Sequence, residues 1–236
     1  MFTVDRGASK WSISRAQFVG DNVTLVMHDP RNGDLLASLN HGHFGIKMHR
    51  SRDGGETWNE VAVPTYPPVP EGHAPKPHPF TGKPLDRALK LVWGLVPGGP
   101  DEPGVVWCGT MPGGLFKSEN SGDSWELNRP LWDHPKREDW GPNGAEFPGI
   151  HSICVDPRDS RHVSVGVSTG GVWITRDGGH SWEPTGRRMR AEYFPPEQMG
   201  DPNVQDVHCL VQCAANPEVF WVQHHNGIFR STAGAA

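Results

Sequence analysis

Ser51-Arg52-Asp53-Gly54-Gly55-Glu56-Thr57-Trp58 decides the fold, because it returns as Thr175-Arg176-Asp177-Gly178-Gly179-His180-Ser181-Trp182 and, loosened, as Ser118-Glu119-Asn120-Ser121-Gly122-Asp123-Ser124-Trp125. Self-similarity at a period of tens of residues marks stacked supersecondary units, and Asp-Gly-Gly between β-rich flanks makes each unit a hairpin-bearing sheet. In the two stricter copies the glycine pair supplies the positive φ angles of a tight turn. Asp53, Asn120 or Asp177 supplies an acceptor for backbone N–H groups inside it. Trp58, Trp125 and Trp182 close each box and are placed to pack over it.

A second signature lies upstream of each box, where an apolar run ends in a Pro-centred turn. The four instances are Leu25-Val26-Met27-His28-Asp29-Pro30, Leu91–Pro97, Ile153-Cys154-Val155-Asp156-Pro157 and residues 210–217, which close on Asn216-Pro217. Pro30 and Pro97 are 67 positions apart, and so are Ser51 and Ser118; two landmarks moving together exclude a chance motif. Ser118 to Thr175 spans 57 positions and Thr175 to Ser231 spans 56. In the last unit Ala233-Gly234-Ala235-Ala236 stands where Asp-Gly-Gly is expected. At the other end Phe2-Thr3-Val4 and a strand around Trp11 read as the outer half of a preceding unit.

The predicted fold is all-β: a β-propeller of four-stranded antiparallel blades, forming a single domain over residues 1–236. Propellers have about four to eight blades and close by pairing strands from the two ends of the chain. Roughly four blades' worth of strands predicts an open or truncated arc, the N-terminal part of a longer propeller. Its unpaired edge strands would favour self-association.

Composition narrows the partners. The 29 Gly and 23 Pro are scattered without a period, which suits many short strands and turns. A net charge of -5 without a basic stripe argues against nucleic acid; Arg187-Arg188-Met189-Arg190 is one basic knot in a solvated loop. No apolar run approaches the ~20 residues of a membrane span, so no membrane partner is expected. Met1 is followed by no charged-then-apolar leader, so a cytoplasmic location is expected. Cys108, Cys154, Cys209 and Cys213 lack zinc-ribbon spacing and read as small core residues of strands. No cofactor is predicted, and no residue is assigned as a metal ligand.

In a four-stranded meander the turn between the second and third strands shares a face with the loop that leads into the first. The boxes, between the third and fourth strands, occupy the opposite face. Ser51, Asp53, Trp58, Ser118, Asn120, Trp125, Thr175, Asp177 and Trp182 are therefore structural. The other face carries the turns Asn40-His41-Gly42-His43-Phe44-Gly45, Met111-Pro112-Gly113-Gly114, Ser168-Thr169-Gly170-Gly171 and Gln223-His224-His225-Asn226-Gly227. It also carries three long lead-in loops, residues 64–87, 131–150 and 187–206, and long loops without secondary structure of their own tend to be functional. His41, His43, Trp93, Trp140, His151, His208, His224 and His225 are thus expected to line one concave mouth with Glu146 and Asp206.

Three readings of that mouth follow. A glycan or small-molecule site would use the aromatics as stacking platforms and Glu146 with Asp206 as the catalytic carboxylates, held about 5 to 9.5 Å apart, with Asp139 in reserve. A metal-binding mouth would use converging histidines, although no HxxxH-type motif supports it. A noncatalytic protein-binding scaffold would use the same histidines and tryptophans as packing around the channel.

The three boxes, with His41-Gly42-His43-Phe44-Gly45, Pro112-Gly113-Gly114-Leu115-Phe116-Lys117-Ser118 and Gly149-Ile150-His151-Ser152, make the chain resemble the glycosyl-hydrolase-like, sialidase-like BNR-repeat (Asp-box) propellers. The resemblance runs from Met1 to about Thr232. It implies a propeller whose boxes join third and fourth strands; it does not by itself imply an activity. Sialidases of this family carry an Arg-Ile-Pro segment, three arginines that clamp a carboxylate, and a Tyr nucleophile paired with Glu. Here Arg-Ile-Pro is absent and tyrosine occurs only at 66 and 193. Glu192 and Tyr193 are adjacent, and in extended chain they would point opposite ways. A sialidase mechanism is therefore not expected. Similar repeats in photosystem II assembly factors and sortilin-type receptors supply the scaffold alternative.

Overall fold

The computed structural model describes residues 1–68, 88–141 and 147–234. Each repeat folds into an antiparallel meander whose strands pair in chain order. β1 (Phe2–Arg6) and β2 (Trp11–Ala16) form a two-stranded sheet. The first full blade is β3 (Asn22–His28), β4 (Leu35–Asn40), β5 (Ile46–Ser51) and β6 (Asn59–Val61). The second is β7 (Leu91–Pro97), β8 (Val106–Met111), β9 (Leu115–Ser118) and β10 (Glu126–Leu127). The third is β11 (Ile150–Val155), β12 (Val163–Val167), β13 (Gly171–Thr175) and β14 (Glu183–Thr185). A three-stranded sheet of β15 (Val207–Gln212), β16 (Phe220–His224) and β17 (Gly227–Ser231) follows. The architecture is a β-propeller arc, and no sheet pairs the first strands with the last among the described residues.

The inner strands β3, β7, β11 and β15 pack successively side by side, so the core lies between blades. Met27, Leu36, Met48, Val92, Val106 and Phe116 fill the first interface. Trp107, Leu115, Val163, Val165 and Trp173 fill the second, and Val172, Met189, Val207, Leu210 and Phe220 the third. Every residue of β8, β12 and β13 is buried. This is why those strands read as continuous apolar or small-residue runs instead of alternating. A side chain at Gly109 would meet the Ile150 carbonyl at 2.4 Å, so only glycine admits the third blade that closely.

One irregularity recurs in all four inner strands. Pairing skips Thr24 in β3, Trp93 in β7, His151 in β11 and His208 in β15, so each strand carries a bulge near its start. A bulge frees one residue from the ladder and re-aims its side chain. Three of the residues expected to line the mouth thus occupy one equivalent position in successive blades.

The box turns form one repeated hydrogen-bond design. The Ser51 hydroxyl donates to Asp53 Oδ1 (2.7 Å) and accepts from Gly55 N–H (2.8 Å), while the Asp53 carboxylate accepts from Glu56 N–H and Thr57 N–H, both at 2.9 Å, and from the Thr57 hydroxyl at 2.6 Å. Thr175 and Asp177 repeat this with Gly179 and Ser181. In the second box Ser118 and Asn120 do so with Gly122 and Ser124. Each box is also held by the sheet before it. Gln17 donates to the Gly55 carbonyl; Arg50 donates to the Ser121 carbonyl (2.9 Å) and pairs with Asp123 (2.9 Å); Asn128 donates to the Gly179 carbonyl (2.9 Å) and accepts from Trp182 Nε1 (2.9 Å). The β1–β2 sheet therefore takes the place of the outer half of a blade.

Two details differ from the sequence reading. Two of the lead-in loops are not structureless: they hold a short helix α1 (Arg129–Trp132) and 3-10 turns at Pro135–Asp139 and Pro202–Val204, with the Asn128, His134 and Asp201 side chains capping N–H groups of their first turns. Cys213 lies just beyond β15 instead of within a strand; all four cysteines are free.

Candidate functional site

The residues singled out from sequence come from the lead-in loops, the turns of this face and the strands β7, β11, β15 and β16, and the structure divides the described ones into three groups. Glu146 and most of the Pro-rich stretch 64–87 lie outside the described residues.

The first group is partly or fully buried and held in structural contacts. The Leu210 N–H donates to the Ser152 hydroxyl (3.0 Å), which stands 2.7 Å from His151 Nδ1, and His151 Nε2 stands 2.8 Å from the Val207 carbonyl. A carbonyl only accepts, so His151 donates from Nε2. Burial also holds the His151 pKa below its ordinary value. His151 thus ties β11 to β15, its edge against Trp93 at 5.4 Å. His224 is buried against Phe229, and burial likewise lowers its pKa. Trp140 is only 7% exposed: it packs edge-on against Trp173 and donates from Nε1 to Asn203 Oδ1 (3.2 Å), so it offers no open face for stacking.

The second group sits apart on the first full blade. His41 Nδ1 lies 3.7 Å from Asp21, and His43 stacks edge-on against the exposed Phe44.

The third group converges. Asp206 and His208 flank Val207 at the start of β15, so the i, i+2 spacing of extended chain and the bulge at His208 set both side chains together. His225, in the β16–β17 turn, is fixed beside them because its N–H donates to the Asp206 carbonyl (3.1 Å). Asp206 Oδ2 stands 3.3 Å from His208 Nε2 and 3.6 Å from His225 Nδ1. Tyr193, 48% exposed, lies edge-on to His225 at 5.3 Å, and burial with the nearby Asp206 charge pushes its phenol up to about 12. The Glu192 N–H donates to Asn226 Oδ1 (3.1 Å), which pins the 187–206 loop to the same turn.

A neighbouring feature on this face was not legible from composition. The Arg137 guanidinium lies 3.7 Å over the Trp132 ring and donates to the Gly113 carbonyl (2.9 Å), joining the lead-in loop of the third blade to the β8–β9 turn. Asn203 continues the linkage by donating to the Lys136 carbonyl (2.7 Å).

No family model matches the chain. Over 79 residues it is 38% identical to the oligoxyloglucan-reducing end-specific xyloglucanase of Emericella nidulans, a stretch covering 33% of this chain and 9% of that enzyme. Among solved structures it resembles YCF48 from Cyanidioschyzon merolae (TM-score 0.51, 15% identity, covering 89% of this chain and 50% of that one). It also resembles the GH74 xyloglucanase of Xanthomonas campestris (TM-score 0.50, 15% identity, 91% and 37%). A third match is PorZ, a type-IX secretion system component of Porphyromonas gingivalis (TM-score 0.51, 13% identity, 98% and 29%). The chain spans half or less of the length of each. These likenesses establish a propeller fold, related in sequence over a third of the chain to a glycoside hydrolase.

Proposed function

We propose that the chain is a glycoside-hydrolase-like propeller segment that takes a glycan on the face opposite its boxes, beside Asp206. The observation that carries the reading is the 79-residue similarity to a xyloglucanase. The geometry adds a half-buried carboxylate, an exposed Tyr193 ring beside it, and a loop tied down around both. An aromatic face against a sugar and a carboxylate at its edge are the parts a glycosidic site needs. Asp206 serves as one catalytic carboxylate and Glu146 as its partner. Xyloglucan-type oligosaccharides are the first substrate class to test.

The full chain should bind xyloglucan oligosaccharides by calorimetry and release reducing ends from them or from a related glycoside. Glu146→Gln should reduce that turnover by about a hundredfold or more while leaving the melting temperature unchanged, the scale on which general acid–base groups act. Binding without turnover would remove the catalytic assignment and keep the glycan site. Neither binding nor turnover across the panel would overturn the reading.

A further inference from the structure

We propose that Asp206, His208 and His225 form a zinc site with one open coordination position. The argument begins with the spacing of the donor atoms. An imidazole paired directly with a carboxylate closes to about 2.7–2.9 Å. Here both rings stand back from the same oxygen, at 3.3 and 3.6 Å, and all three donor atoms lie within 4.8 Å of one another. Zinc binds His nitrogen and carboxylate oxygen at about 2.0–2.2 Å, and a tetrahedron of that size sets its ligands about 3.3–3.5 Å apart. Octahedral neighbours at the same bond lengths would sit closer, near 3 Å. The two edges to Asp206, 3.3 and 3.6 Å, lie nearer the tetrahedral span, and the edge between the two rings is within 4.8 Å.

The backbone holds this geometry independently of any ion. The bulge turns His208 out of the ladder onto the side of Asp206. The His225 N–H is bonded to the Asp206 carbonyl, and the turn that carries His225 is anchored by buried His224 and by Asn226. Three side chains from the start of one strand and the turn beside it are thereby brought together at one end of the sheet. The His208 and His225 side chains are 43% and 60% exposed, so the fourth position faces solvent. Two histidines and a carboxylate with a fourth position left to water or a ligand oxygen is the pattern of catalytic rather than structural zinc. The inference rests on these donors and shares Asp206 with the glycan reading: a carboxylate bound to zinc is not free to act as a catalytic carboxylate, so the two are measured separately, with and without the ion.

The test uses tag-free full-length chain, since 13 histidines invite adventitious binding. After dialysis against chelator, zinc titration by calorimetry with elemental analysis should give one ion per chain, and cobalt(II) should show the intense visible bands of tetrahedral coordination. His208→Ala and His225→Ala should each weaken binding at least about tenfold, the scale on which even outer-shell changes act. His41→Ala with His43→Ala should leave binding unchanged. Both ligating histidines are exposed, so the variants should melt as wild type. Should an alanine variant misfold, His208→Gln is read in its place. Absence of stoichiometric zinc in the wild type, or wild-type affinity in the His208 and His225 variants, overturns the site. Glycan binding is measured in zinc-free buffer, so its failure and that of the zinc site are separate results.

Discussion

The hydroxyl of each box is its buried partner, while the carboxylate sits at the surface. Ser51, Ser118 and Thr175 are 0%, 1% and 3% exposed, and each accepts the N–H of the glycine four positions on. Thr175→Val keeps the volume and leaves the Gly179 N–H buried and unpaired, which should cost about 1–3 kcal/mol in denaturant unfolding; an unchanged midpoint would show that the hydroxyl is dispensable. The carboxylates act through pH instead. Hydrogen bonds from the Thr57 hydroxyl to Asp53, and from the Ser181 hydroxyl to Asp177, hold both well below the ordinary carboxylate range. A folded pKa below the unfolded one means that their contribution is complete above the unfolded value and is lost as pH falls toward the folded one. Asn120 performs the same task without titrating. The double variant Asp53→Asn, Asp177→Asn should therefore show a flatter decline of melting temperature than wild type as pH falls below about 4. Parallel profiles would contradict the assignment.

Between elements, a small number of polar ties join the blades, and the sequence showed only half of them. The Pro-centred turns were legible, because Pro30 and Pro157 punctuate apolar runs, but the partner two positions after Asp29 and Asp156 was not. Arg31 forks onto the Asp29 carboxylate (2.8 and 2.6 Å) and donates across the interface to the carbonyls of Glu102 (2.6 Å) and Val105 (2.7 Å). Arg158 repeats the fork on Asp156 and reaches Glu218 (2.7 Å). Removing Arg31 would strand Asp29, which is 1% exposed, so Arg31→Ala should destabilise by about 3–5 kcal/mol. Arg31→Lys should rescue little, because an ammonium cannot reproduce a planar fork that spans five oxygens, the Gly99 carbonyl included. Full rescue by lysine in thermal melts would refute this. The bulges at Trp93, His151 and His208 were equally hidden, since one unpaired residue leaves the apolar pattern of a short strand intact. That Trp140 is buried and His151 half-buried was not legible either: it depends on which loop of one blade covers the next, which no single repeat encodes.

Across the whole molecule, the repeat spacing was enough to read the propeller, since box and Pro-turn intervals each count one blade. The same reading placed the boxes and the histidine-rich turns on opposite faces, but it could not show that, among the described residues, Asp206, His208 and His225 meet there. Among the described residues the first and last sheets each keep an unpaired outer edge. β17 is the outer strand of its sheet, and Phe2, Trp11 and Ile13 on the β1–β2 sheet are 64%, 65% and 63% exposed. Exposed edges and apolar faces pair with other chains, so sedimentation velocity should show mass rising with concentration. A monodisperse monomer across a broad concentration range would contradict that expectation. The central claim concerns the other end of the argument, the location of the ligand. Hydrogen exchange of the full chain with and without a xyloglucan oligosaccharide tests it most directly. The account predicts slowed exchange in residues 187–212 and 222–228, with no change in the boxes at 51–58, 118–125 and 175–182. Protection confined to the boxes, or absent everywhere at saturating oligosaccharide, would contradict it.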